Sequence, residues 1–248
     1  MNAFPKSLEE AIAQAKQATR AALDDGYQRL QVEFVIPEIA LKAQAIAGEF
    51  LPLFEDYGSG LKVIFPDTGA AALACRDWGE VPFKVTDLGS RLTSVDRNVS
   101  DEDRIFLLVS PSAVEVAQVE KLCNLAGDRP VVLLIPQLED VSIVGIGYAA
   151  RQLRDRFIST LESSYYFKPL DGAAVMRSYP SSWQVWLENG DEYEIISEQP
   201  QKPIGEALER ILTGNTDTPD GAATADASKA KKMGLFGNMR SFLRALSQ

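Results

Sequence analysis

The chain has 248 residues, 46% hydrophobic and 24% charged, which supplies one ordinary α/β core and excludes wholesale disorder or a fibrous repeat. It contains no histidine, which removes histidine triads, histidine proton shuttles and most zinc and haem sites. The formal net charge of −10 hides an asymmetry, because residues 229–248 carry five basic and no acidic side chains, leaving −15 on the rest. An acidic body argues against nucleic acid as the main partner, since that binding rests on phosphate neutralisation. A basic tail on such a body points to a partner touched by the tail alone.

Ser7 followed three residues later by Glu10 reads as a capping box. Leu8, Ala11, Ile12, Ala15, Ala18, Ala22 and Leu23 then recur at helical spacing until Asp24-Asp25-Gly26. Leu30 to Ile36, stopped by Pro37, reads as a strand. Ile39 to Phe54 is expected to be helical despite Pro52, Leu61 to Phe65 a strand before Pro66, and Thr68 to Trp78 a helix. Val81 to Val85 and Ile105 to Val109 read as strands, Ser112 to Ala126 as a helix, and Val131 to Ile135 as a strand before Pro136. Apolar strands separated by helices require a parallel sheet covered on both faces.

After Ser142 the pattern changes to a long helix reaching about Leu161, then Tyr165-Tyr166-Phe167 and Ala173 to Tyr179. Trp183 to Leu187 and Tyr193 to Ile196 flank Asn189-Gly190, a strong hairpin signal. The expected fold is therefore α/β, an open, mainly parallel sheet with helices on both faces and antiparallel strands at its C-terminal end. Pro203 to Leu212 closes a core domain spanning 1–213, followed by a flexible linker (214–230) and a basic amphipathic helix (231–248).

Cys75 and Cys123 are too far apart for a metal knuckle or a redox pair and read as reduced core thiols. The opening residues lack a secretory or transit pattern and no apolar run is long enough to span a bilayer, so a cytoplasmic location is expected. Gly145-Ile146-Gly147-Tyr148-Ala149-Ala150 matches a dinucleotide fingerprint in letters but lacks the first strand before it. It reads instead as a helix opened by small residues. Gly58-Ser59-Gly60-Leu61-Lys62 has the wrong spacing for a phosphate loop and reads as a turn before a strand.

Asp67 follows a strand at the carboxyl edge of the sheet, where ligands bind in open α/β folds, and it also precedes a helix it can cap. Arg151, Arg154 and Arg156 on the long helix, with Arg177 near an expected edge strand, are candidates for gripping a phosphate or carboxylate, or else pair with surface acids. Asp67, Arg151, Arg154 and Arg177 are the candidate ligand residues. Trp183 and Trp186 differ by three positions and point to opposite faces of their strand, so one is expected to be exposed. No catalytic residue, metal or cofactor is expected.

In the tail, a helix over 233–246 gathers Leu235, Phe236, Met239, Phe242, Leu243 and Leu246 on one arc, with Arg240 and Arg244 opposite and Lys231 and Lys232 just before it. Three readings stand: a membrane-surface helix, a helix docked in a partner's groove, or a helix packed on its own domain.

The stretches Ala149 to Phe157, Tyr165-Tyr166-Phe167-Lys168-Pro169-Leu170, Val175-Met176-Arg177-Ser178-Tyr179-Pro180 and Trp183-Gln184-Val185-Trp186, with Ile36-Pro37 and Val63-Ile64-Phe65-Pro66-Asp67, carry a family resemblance over residues 7–213. They resemble a domain of unknown function shared by cyanobacteria and chloroplasts, which includes a plant factor for photosystem II accumulation and the C-terminal part of a chloroplast adenylate kinase. The resemblance implies a non-catalytic assembly or interaction factor, peripheral on the cytoplasmic face of thylakoid membranes, whose partners are the membrane surface, photosystem assembly proteins, or both. It brings no catalytic residues, and the kinase chemistry of the fused relative does not transfer. The alternative reading is a regulatory domain binding a nucleotide or phosphometabolite at the carboxyl edge of the sheet.

Overall fold

The computed structural model describes residues 3–89, 95–138, 148–190 and 192–214. The expected linker beyond Gly214, the tail helix, and the glycines at 145 and 147 lie outside the described residues.

Among the described residues, six α-helices accompany nine strands. Ser7 caps α1 (Leu8–Asp24) by accepting from the Glu10 N–H at 3.2 Å. The Glu10 carboxylate accepts from the Lys6 N–H at 2.7 Å, one residue before the position a capping box uses. The expected helix over 39–54 is divided: a 3-10 turn (Ile39–Lys42), α2 (Ala43–Phe50), then 3-10 turns over Leu51–Gly60 where Pro52 cannot continue the ladder. β1 (Arg29–Phe34), β2 (Leu61–Phe65), α3 (Thr68–Trp78) and β4 (Ile105–Val109) fall where the pattern places them. β3 (Lys84–Asp87) lies later than expected, beyond Pro82, which has no ladder donor.

α4 (Val116–Ala126) starts four residues late, because the Glu115 carboxylate accepts from both the N–H and the hydroxyl of Ser112 and holds 112–115 as a turn. β5 is Val131–Leu134, and the next described helix is α5 (Tyr148–Arg156). β6 (Glu162–Leu170), β7 (Ala173–Ser178), β8 (Trp183–Asn189) and β9 (Glu192–Gln199) follow, then α6 (Glu206–Thr213). In the last hairpin Asn189 pairs with Glu192, and Gly190 takes φ 69°, the left-handed region that favours glycine.

All nine strands form one sheet in the order β3-β2-β4-β5-β1-β6-β7-β8-β9, parallel from β3 to β6 and antiparallel beyond. On one face, α1, α2 and α3 bury Ala15, Ile46, Phe50 and Ala74 against Leu30, Val32, Val63, Leu107 and Val132. On the other, Val119, Leu122 and Cys123 of α4 and Leu153 of α5 meet Ile64, Phe106, Leu108 and Leu133. Strands β2, β4 and β5 are buried throughout, as a sheet covered on both sides demands. β1 is not: its burial alternates along the strand.

Three expectations need correction. Trp183 and Trp186 do face opposite sides, yet both are buried, because Phe4 lies against Trp186 while Tyr166 and Lys202 lie against Trp183. Cys75 is exposed on α3, away from the buried stripe of Ala71 and Ala74, and only Cys123 is a core thiol. β7, which carries Arg177, is an interior strand between β6 and β8.

Candidate functional site

The parallel strands share a punctuation: Pro66, Pro111, Pro136 and Pro37 follow β2, β4, β5 and β1, four neighbours in the sheet. Proline ends each ladder at the carboxyl edge. Three non-glycine residues take positive φ at that same edge: Ser110 (49°), Ile135 (55°) and Glu38 (60°). For the β-branched Ile135 this conformation costs of order 1–3 kcal/mol. Strained backbone is thus gathered where β4, β5 and β1 end.

The edge also holds the topological switch point. The chain leaving β1 crosses the first face through Ile39, Ile46 and Phe50 to reach β2. The chain leaving β5 goes to the opposite face, where Leu138, Leu153 and Phe157 pack. Connections that part in opposite directions from adjacent strands open a crevice between them. A cavity of about 570 Å³ occupies it, walled by Val35, Ile36, Ile39, Ile135, Leu138 and Ile158, with Gln31, Glu33, Gln137, Tyr166 and Lys202 as its polar groups.

Strand geometry brings these polar groups together. Side chains alternate along β1, so Leu30, Val32 and Phe34 enter the core while Gln31 and Glu33 face the crevice. Glu33 is in register with Tyr166 on β6, and Tyr166 with Arg177 on β7, which sets the three in a row across one face. The Ser163 hydroxyl donates to Glu33 Oε2 at 2.8 Å, and Lys202 Nζ lies 3.4 Å from Glu33 Oε1. Lys202 Nζ also sits 3.9 Å from the centroid of the Tyr166 ring and 5.5 Å from that of Trp183. Burial, and after it the Glu33 carboxylate, push the Tyr166 phenol above its ordinary pKa, so it is a neutral hydroxyl at pH 7.

The residues singled out from sequence are not brought to this cavity. Asp67 caps α3, its Oδ1 accepting from the Ala70 N–H at 3.0 Å, two strands away at the end of β2. Arg151 and Arg154 are exposed on α5. Arg156 makes a bidentate pair with Glu120 at 2.9 Å on both oxygens. Arg177 pairs with Glu162 and lies 5.5 Å from the Trp183 ring. The sequence reading missed Gln31, Glu33, Tyr166 and Lys202. Its available signal was the alternation Leu30-Gln31-Val32-Glu33-Phe34 in a strand flanked on both sides, which marks a polar face on an otherwise interior strand.

The chain matches the model of the family described as "Domain of unknown function (DUF1995)" over residues 5–210. It belongs to that family. The match covers the α/β unit from the start of α1 into α6, so the residues that line the crevice lie within the matched span. Among the described residues, no helix is long and apolar enough to cross a membrane, and no cluster of three or more Cys, Asp or Glu is placed to hold a metal ion.

Proposed function

We propose that this DUF1995 protein is a non-catalytic binding and assembly factor, with the β1/β5 crevice as its ligand site and the basic segment 231–248 as its contact with a membrane or partner. The observation that carries the reading is the crevice itself, a roomy apolar cavity at the switch point with a few polar groups converging on it. Its charged side chains engage one another, Glu33 with Lys202, and the Ser163 hydroxyl donates to Glu33 as well, which suits recognition better than proton transfer. The resemblance to cyanobacterial and chloroplast proteins supports a place in photosystem biogenesis at the cytoplasmic face of the thylakoid membrane.

The second reading, a nucleotide- or phosphometabolite-binding regulatory domain, uses the same crevice but has less to draw on. Of the described residues lining the cavity only Lys202 is cationic, and it is already beside Glu33.

The test is attachment by the tail. Each Lys or Arg near an anionic leaflet contributes about 1 kcal/mol, so the five basic residues of 229–248 supply at most about 5 kcal/mol, which is reversible and salt-sensitive. The full chain should float with anionic vesicles at low salt and be released at high salt. Attachment should be lost in the double variant Phe242→Glu, Leu243→Glu and weakened by Arg240→Glu. Equal recovery of partners from thylakoid membranes by the full chain and by a chain ending at residue 213 would overturn the tail's role.

A further inference from the structure

We propose that the crevice takes an organic cation, an ammonium or guanidinium on an aliphatic stem, and that Lys202 is an internal occupant of the same seat. The inference rests on the crevice being the ligand site and adds the chemistry of what enters it. Glu33 Oε1 and the faces of Tyr166 and Trp183 surround the Lys202 ammonium, at 3.4, 3.9 and 5.5 Å. A carboxylate beside two aromatic faces is the surrounding that holds a cation away from bulk water.

The seat belongs to the sheet and its occupant comes from outside it. Glu33 comes from the central strand β1 and Tyr166 from its registered neighbour β6. Lys202 comes from the irregular segment 200–205, between β9 and α6, and its side chain is 35% exposed. The Lys202–Glu33 separation of 3.4 Å is long beside the about 2.7–2.9 Å of a good charge-assisted hydrogen bond. Ser163 occupies one acceptor position of Oε2 at 2.8 Å, and Oε1, which faces Lys202, is an acceptor that an incoming N–H group could take in its place.

The adjoining walls, Val35, Ile36, Ile39, Ile135, Leu138 and Ile158, fit an aliphatic stem. An anion finds the reverse. The lining cation is beside Glu33, Arg177 is held by Glu162, and residues 1–228 carry a net −15 that attracts cations and repels anions.

Four probes of closely similar length isolate the head group: hexylammonium, hexylguanidinium, hexanoate and hexanol, titrated calorimetrically into the full chain at near-physiological salt. The two cations should bind and hexanoate should not. Glu33→Gln should weaken the cations about tenfold or more. Lys202→Met should tighten them about tenfold, because an internal competitor that leaves the seat vacant only about a tenth of the time lowers apparent affinity in proportion to that vacant fraction. Lys202→Gln should act in the same direction, and melting curves confirm that each variant is folded. Hexanoate binding that disappears in Lys202→Met overturns the cation assignment and leaves the crevice as a ligand site. Equal binding of hexanol and hexylammonium, indifferent to Glu33→Gln, does the same. Silence of all four probes in both the native chain and Lys202→Met overturns this inference and the crevice reading together.

Discussion

Lys62 Nζ on β2 donates to Asp103 Oδ2 at 2.7 Å, with the Lys62 side chain 7% exposed and that of Asp103 fully buried. The same oxygen accepts from the Ser100 N–H at 2.7 Å, so the pair fastens the turn that feeds β4 to the neighbouring strand. Removing one partner strands the other charge away from water. Asp103→Asn should therefore destabilise the fold by about 3–5 kcal/mol, whereas Lys62→Met with Asp103→Leu should recover most of the loss. Urea unfolding of the three variants is the measurement, and a cost below about 1 kcal/mol for Asp103→Asn would contradict the account.

The pair also sets an acid sensitivity. Burial alone would raise the Asp103 carboxyl, but hydrogen bonds from Lys62 and the Ser100 N–H outweigh it and hold the group below its ordinary value. A depressed carboxyl contributes stability that is present above its unfolded pKa, about 3.9, and lost as pH falls through the folded value. Native protein should lose this contribution only below about pH 4, and Asp103→Asn should flatten the stability profile there.

Phe4 stacks on Tyr193 with ring centroids 3.8 Å apart and planes 6° from parallel, and it contacts Trp186 and Phe167 as well. The N-terminal segment thereby covers the β8–β9 end of the first face. Phe4→Ala should cost about 2 kcal/mol, less than for a fully buried ring. It should also shift tryptophan fluorescence to the red as Trp186 meets water, a change that Trp186→Phe would abolish.

The two thiols should separate cleanly. Burial pushes the Cys123 thiol up to about 12, while Cys75 is exposed. A thiol reagent should modify one cysteine quickly in the native protein and the second only on unfolding. Cys75→Ser should remove the fast phase, and a fast phase that survived it would show that Cys123 is accessible.

Glu38, exposed with φ 60° just after Pro37, carries left-handed strain without a buried side chain to repay it. Glu38→Gly should raise the urea midpoint, by up to about 1 kcal/mol in stability. A loss of stability would mean that the Glu38 side chain supports the carboxyl edge.

Strands β2 and β4 and helix α3 were legible in the sequence to the residue, because apolar composition between prolines, or a cap followed by helical spacing, is local information. The parallel-to-antiparallel change was legible for the same reason, through the Asn189-Gly190 signal and the loss of intervening helices. Strand order was not. That β1 lies between β5 and β6 depends on contacts between residues about 100 apart or more, such as Leu30 with Val132 and Phe34 with Phe167. Only that order creates the switch point, and only the register of Glu33 with Tyr166 and the return of the chain at Lys202 assemble the cation seat. The sequence by itself determined which segments form strands and helices, since these follow from neighbours within a few positions. The tertiary structure decided where the site lies, since a crevice is formed by segments that meet only once the sheet is built.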